Sequence, residues 1–82
     1  MTYAQVNVTY AGVNGDLTDL MDYDMNDSVI KAQVQECIVS GSILGLENQT
    51  SADLTDFVVD RFPANGDVPA RLFVRPKTPF GI

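Results

Sequence analysis

The segment Ala4-Gln5-Val6-Asn7-Val8-Thr9-Tyr10 alternates apolar and polar side chains without a break, and this period of two constrains the fold more than any other feature. Ala4, Val6, Val8 and Tyr10 fall on one side of an extended backbone, with Gln5, Asn7 and Thr9 on the other. That is the pattern of a strand buried on one face. Valine and tyrosine suit such a pleated, half-buried surface. A one-sided strand needs hydrogen-bonded neighbours and a cover for its apolar face, so the rest of the chain must supply both.

Asn14-Gly15 follows, a pair favoured in type I′ hairpin turns because both positions tolerate positive φ. A two-residue loop there sets Val8 opposite Met21, Val6 opposite Tyr23 and Ala4 opposite Met25. The other face pairs Asn7 with Asp22 and Gln5 with Asp24. Leu17, Leu20 and Met21 also fit helical spacing, but only the hairpin sorts apolar from polar on both strands.

The cover comes next. Ile30, Val34, Cys37, Ile38 and Gly41 recur at helical spacing with Lys31, Gln35 and Glu36 between them. Asp27 or Ser28 is placed to cap the start of this helix, and Gly41 to end it in the left-handed region. Ser42 to Leu46 reads as a short third strand and Glu47 to Ser51 as polar loop. Asp53 to Phe57 is either a short capped turn of helix or the approach to a strand. Val58 to Phe62 and Ala70 to Arg75 read as strands about a second Asn-Gly, Asn65-Gly66. That register sets Val59 opposite Leu72, Phe57 opposite Val74 and Asp60 opposite Arg71. Prolines make the tail 76–82 irregular.

An 82-residue chain makes one domain, assigned here to residues 1–75, with a thin core. The apolar share of 45% is globular. No apolar run reaches the roughly 18 residues of a transmembrane helix. The N-terminus has neither a basic n-region nor an apolar h-region, so no signal peptide is read and the cytoplasm is the default compartment. The single cysteine, Cys37, makes no internal disulfide and sits among apolar neighbours, where a structural role is expected. With no histidine in the chain, imidazole-dependent triads are excluded, and no enzymatic activity and no cofactor are expected.

Charge is uneven. Residues 1–60 carry ten acids against Lys31, whereas residues 61–82 carry Asp67 against Arg61, Arg71, Arg75 and Lys77, for a net −6. That balance disfavours nucleic acid as a partner. Asp22 to Asp27 has oxygens at positions one, three and five of a calcium loop. It lacks the glycine at six, where Asp27 stands, and the glutamate at twelve, where Gln33 stands, so no metal is assigned. Gly41 to Gly45 lacks the Lys-Ser/Thr of a phosphate loop, and the three Asn-x-Ser/Thr sites at Asn7, Asn26 and Asn48 matter only in a secreted chain.

The order strand, turn, strand, helix, short strand, loop, strand resembles the β-grasp of ubiquitin-like proteins, of the prokaryotic type, over roughly residues 4–75. Local echoes are Asp27-Ser28-Val29 opening the helix, Asp53-Leu54-Thr55-Asp56-Phe57, and the last strand Arg71-Leu72-Phe73-Val74-Arg75. The resemblance implies an α+β fold with an N-terminal β-hairpin, one amphipathic helix and a mixed sheet of four to five strands. It also implies action through protein–protein contact, with an apolar patch at Val13, Leu44 and Phe73 as the candidate surface. The partner would be an E1-like activating enzyme or a larger complex, with no membrane partner. In the modifier form, Gly81 is the activation site once Ile82 is trimmed; such modifiers end in Gly-Gly, and the chain departs from them in that Gly81 is single and preceded by Phe80. A tight hairpin between 58–62 and 70–74 sits poorly with a β-grasp, whose last strand lies beside the first. The alternative from another class is a structural or assembly subunit, a phage or secretion-system component that docks by strand addition.

Overall fold

Strand alternation and helical spacing are both realised, but the turns fall elsewhere than the Asn-Gly pairs suggest. A computed structural model of the chain describes residues 2–77. Its elements are β1 (Tyr3–Tyr10), β2 (Val13–Asp16), β3 (Met21–Asp22), α1 (Asp27–Val39), β4 (Phe57–Phe62) and β5 (Ala70–Pro76). The sheet has the order β2-β1-β5-β4, with β3 also paired to β1. β1 and β5 run parallel and the other pairs antiparallel. The fold is therefore α+β, one helix against a mixed five-stranded sheet, an arrangement consistent with a β-grasp. The hairpin and the central last strand coexist because β5 uses both its edges, one for β1 and one for β4.

The first hairpin turns at Ala11-Gly12, not at Asn14-Gly15. Ala11 (φ 52) and Gly12 (φ 78) both take the left-handed conformation a type I′ turn requires, although alanine is disfavoured there. Asn14 and Gly15 lie within β2, opposite Thr9 and Val8. Two contacts account for that choice. Gly15 is buried, and a Cβ on it would stand 2.6 Å from Ile43 Cγ2 and 3.1 Å from the Leu44 carbonyl oxygen. Asn14 and Asn7 exchange side-chain hydrogen bonds of 2.7 and 3.0 Å. At a turn tip neither contact would form. The shifted register sets Ala4 opposite Met21 and Tyr3 opposite Asp22, correcting the expected Ala4–Met25 pairing.

Helix α1 buries Ile30, Val34 and Ile38 against the sheet. Burying a side chain of this size contributes roughly 1.5–3 kcal/mol, which offsets the weak helical propensity of a β-branched stretch. Asn26, rather than Asp27 or Ser28, occupies the N-cap position, and its side chain makes no capping bond. The Asp27 carboxylate is drawn instead to the Arg61 guanidinium. The C-terminus behaves as expected. Gly41 (φ 77) is left-handed, and the bonds Ser42 N–H to Cys37 O (3.0 Å) and Gly41 N–H to Ile38 O (3.2 Å) close a Schellman motif.

Ser42 to Leu46 is not a strand. It turns, with the Leu46 N–H donating to Ile43 O at 3.0 Å. Ile43 and Leu46 are both buried while Leu44 is 82% exposed. Two inward residues three apart cannot share a face of a period-two strand, so the chain bends to bury both. Before β4, Asp53 accepts the Thr55 N–H (3.0 Å) and the Phe57 N–H reaches Leu54 O (3.0 Å), so this stretch is a turn that leads into a strand.

The second hairpin closes between Asn65 and Val68, which exchange two backbone bonds of 2.9 Å, so Gly66-Asp67 forms the tip. The register is two positions off the expected one. Val59 faces Val74, Phe57 faces Pro76, and Asp60 faces Phe73 rather than Arg71. Pro76, expected in the irregular tail, is the last residue of β5, at the ladder end where its missing N–H costs least.

The buried apolar residues form one cluster. Ala4, Val6, Val8, Met21, Ala70, Leu72 and Val74 come from one face of the sheet, and Ile30, Val34 and Ile38 from the helix. Ile43, Leu46 and Leu54 from the connecting loop close it. Tyr10 and Phe57 seal one margin, their rings 5.8 Å apart. Among the described residues, everything that covers the sheet lies on one side, and they leave the other face open.

Candidate functional site

The acidic segment before the helix serves structure. Asp22 accepts the Asp24 N–H at 3.0 Å, and Asp27 goes to Arg61. Arg61 also donates to the carbonyls of Tyr23 and, at 2.7 Å, Met25, tying β4 to the β3–α1 connection. Among the described residues, no three acids or thiols converge where they would hold a metal ion. The Asp53 carboxyl is held below the usual carboxylate range by the Thr55 hydroxyl and then the Thr55 N–H. Its contribution to the turn is therefore present above the ordinary carboxyl pKa and is lost as pH falls through the lowered one.

Cys37 is half-buried along an open groove with Gln35, Glu36, Val39 and Ser40. Burial, followed by the charges of Asp19 and Glu36, raises its thiol pKa. A raised pKa removes the thiolate on which reactivity depends. Alkylation of Cys37 by iodoacetamide at pH 8 is expected to run several-fold slower than that of free glutathione. A rate equal to or above glutathione's would show an activated thiol.

The three residues of the candidate patch do not share a surface. Val13 pairs with Tyr10 on the helix side of the sheet. Leu44 lies on the same side, in the loop whose Gly45 approaches the Val13 side chain. Phe73 is the register neighbour of Asn7, on the open face. Gly81 lies outside the described residues.

The open face divides in two. On β1 and β2 the polar side chains satisfy one another. Asn7 bonds Asn14 and donates to Asp16 at 2.7 Å, and Asn14 donates to the Thr9 hydroxyl at 3.0 Å. On β4 and β5 the character changes. Phe62 and Phe73 meet edge to face with centroids 5.2 Å apart. The Arg71 guanidinium lies 5.4 Å from the Phe62 centroid and 5.9 Å from that of Phe73. Arg75 pairs with Asp60 beside them. Phe62 is 43% exposed, and Tyr3, on the same face, is 57% exposed.

Sequence reading reached Phe73 but missed Phe62 and Arg71. The alternation Arg71-Phe73-Arg75 was a visible signal, but Phe62 joins it only through the observed Phe62–Arg71 register. This surface is apolar and aromatic with a cation at its centre. It suits binding. No family model, curated protein or solved structure matches the chain. No described helix is long and apolar enough to cross a membrane.

Proposed function

We propose that the chain is a non-catalytic, ubiquitin-like binding module that acts through protein–protein contact. The observation that carries this reading is the half-sheet of β4 and β5, left uncovered by the described residues, where Phe62, Phe73 and Arg71 cluster away from the core. Aromatic residues and arginine are the types most enriched at protein interfaces. The parallel pairing of β5 with β1 at the sheet centre supports the ubiquitin-like part of the reading. In its modifier form, activation falls at Gly81, and Gly81→Ala abolishes covalent adducts.

A second reading, an assembly subunit joined by strand addition, draws on the edge strand β4. Its exposed edge begins with the Phe57 carbonyl, which accepts from Lys31 at 3.2 Å, a charge that discourages pairing at that end. Sedimentation equilibrium over the micromolar range separates the two. A constant monomer mass is expected of the binding module. A mass that grows with concentration, and that Val59→Pro on the edge returns to monomer, would replace it with the assembly reading.

A further inference from the structure

Of the two arginines on the open face, Arg75 pairs with Asp60, whereas Arg71 has no counterion among the described residues, although the chain is acidic. Among the described residues the two ion pairs engage Arg61 and Arg75, and the Arg71 Nε is buried without a hydrogen-bond partner. The three carboxylates that register places on this face are all engaged. Asp16 accepts from Asn7, Asp22 from the Asp24 N–H, and Asp60 from Arg75. Two phenylalanine rings hold the Arg71 guanidinium in place, and an aromatic face orients a cation without consuming its hydrogen-bonding capacity. Its charge is thus fixed in position and left to be neutralised from outside.

We infer that the β4–β5 half of the open face binds an acidic segment of a protein partner. A partner carboxylate closes on Arg71, and an apolar side chain beside it settles against Phe62 and Phe73. This inference rests on the binding-module reading and specifies its surface and the chemistry of its partner. Charge complementarity selects this occupant. The net charge of −6 acts weakly beyond a screening length of about 8–10 Å, whereas the contact charge is that of Arg71. The β1–β2 half, with its polar groups bonded to one another, offers no comparable demand.

The test is a titration of the isotopically labelled full chain, followed by backbone amide shifts. The probes are acetyl-Leu-Asp-Glu-Phe-amide and its uncharged counterpart acetyl-Leu-Asn-Gln-Phe-amide. Shifts confined to residues 58–62 and 70–75 are expected, with the acidic peptide bound roughly tenfold more tightly, the scale of one charge-assisted hydrogen bond. Arg71→Gln should abolish that preference, and Arg71→Lys should restore part of it. Arg71 points away from the core, and an unchanged amide spectrum away from the site verifies that the variants fold. Equal affinity for the two peptides, or no shift with either, overturns the acidic-partner inference. So does tighter binding of a short oligothymidylate to the same residues. Shifts on the helix or along the β4 edge also overturn it, yet leave the binding-module reading standing. That broader reading falls separately, on the sedimentation result.

Discussion

Gly15→Ala is expected to destabilise the fold by about 3 kcal/mol, the upper end of what overpacking a core produces. The added methyl would stand 2.6 Å from Ile43 Cγ2, with the Leu44 carbonyl oxygen 3.1 Å away on the same loop. Backbone conformation is no obstacle, because Gly15 is not among the residues of positive φ. The effect is therefore one of space, and a double-mutant cycle isolates it. In an Ile43→Ala background, which removes the nearer obstacle, the same substitution should cost substantially less. Gly12 provides the opposite case, since nothing lies within 4 Å of a Cβ placed there but its φ of 78 disfavours any side chain. Urea denaturation of the four proteins of the cycle decides the matter. Additive losses would mean that the β2–loop contact is not what excludes a side chain at position 15.

Leu72→Ala is the second large effect, with an expected loss of about 2–5 kcal/mol from the truncated contacts and the cavity left behind. Leu72 is fully buried, and its strand is flanked by Val6 on β1 and Arg61 on β4. Both neighbouring strands are themselves held in place, so the site has little room to collapse. The whole stability of a domain is about 5–15 kcal/mol, and a chain this short belongs at the lower end, so this one change threatens folding at ordinary temperature. Leu44→Ala provides the contrast. At 82% exposure it should shift stability by no more than about 0.5 kcal/mol. If denaturation midpoints of the two variants coincided, the assignment of core and surface in this region would be wrong.

The core was legible in the sequence even where the turns were misread, and parity explains why. The expected partner of Ala4 was Met25 and the observed one is Met21, four positions away. In the second hairpin Val59 faces Val74 rather than Leu72, two positions away. An even slip keeps every side chain on its own face, whereas a slip of one would exchange the faces. Tyr23 and Met25 accordingly still pack against the core, as the alternation implied. Helix α1 and its Gly41 terminus were legible for a related reason, since periodicity and the left-handed cap are both local.

The candidate surface was less legible. Phe73 was picked out, but Val13 and Leu44 lie across the sheet from it, because the turn at Ala11-Gly12 puts Val13 in β2 opposite Tyr10 and the loop at 42–46 bends where a strand was expected. Arg71 joins Phe62 only when the hairpin closes between Asn65 and Val68. The expected Asp60–Arg71 pairing would have given that arginine a counterion. The observed register gives Asp60 to Arg75 and leaves Arg71 on the aromatic rings.

By itself, then, the sequence determined which strand and helix residues point inward, where the helix runs and ends, and that the chain has no imidazole. Each follows from periodicity, local backbone preference or composition, which need no knowledge of distant neighbours. Tertiary structure alone decided the turns, the register and the arginine–aromatic cluster. Asn14-Gly15 has the stronger turn propensity, but Gly15 is needed under Ile43 and Asn14 against Asn7. A local preference worth about 1 kcal/mol yields to a core that cannot otherwise close.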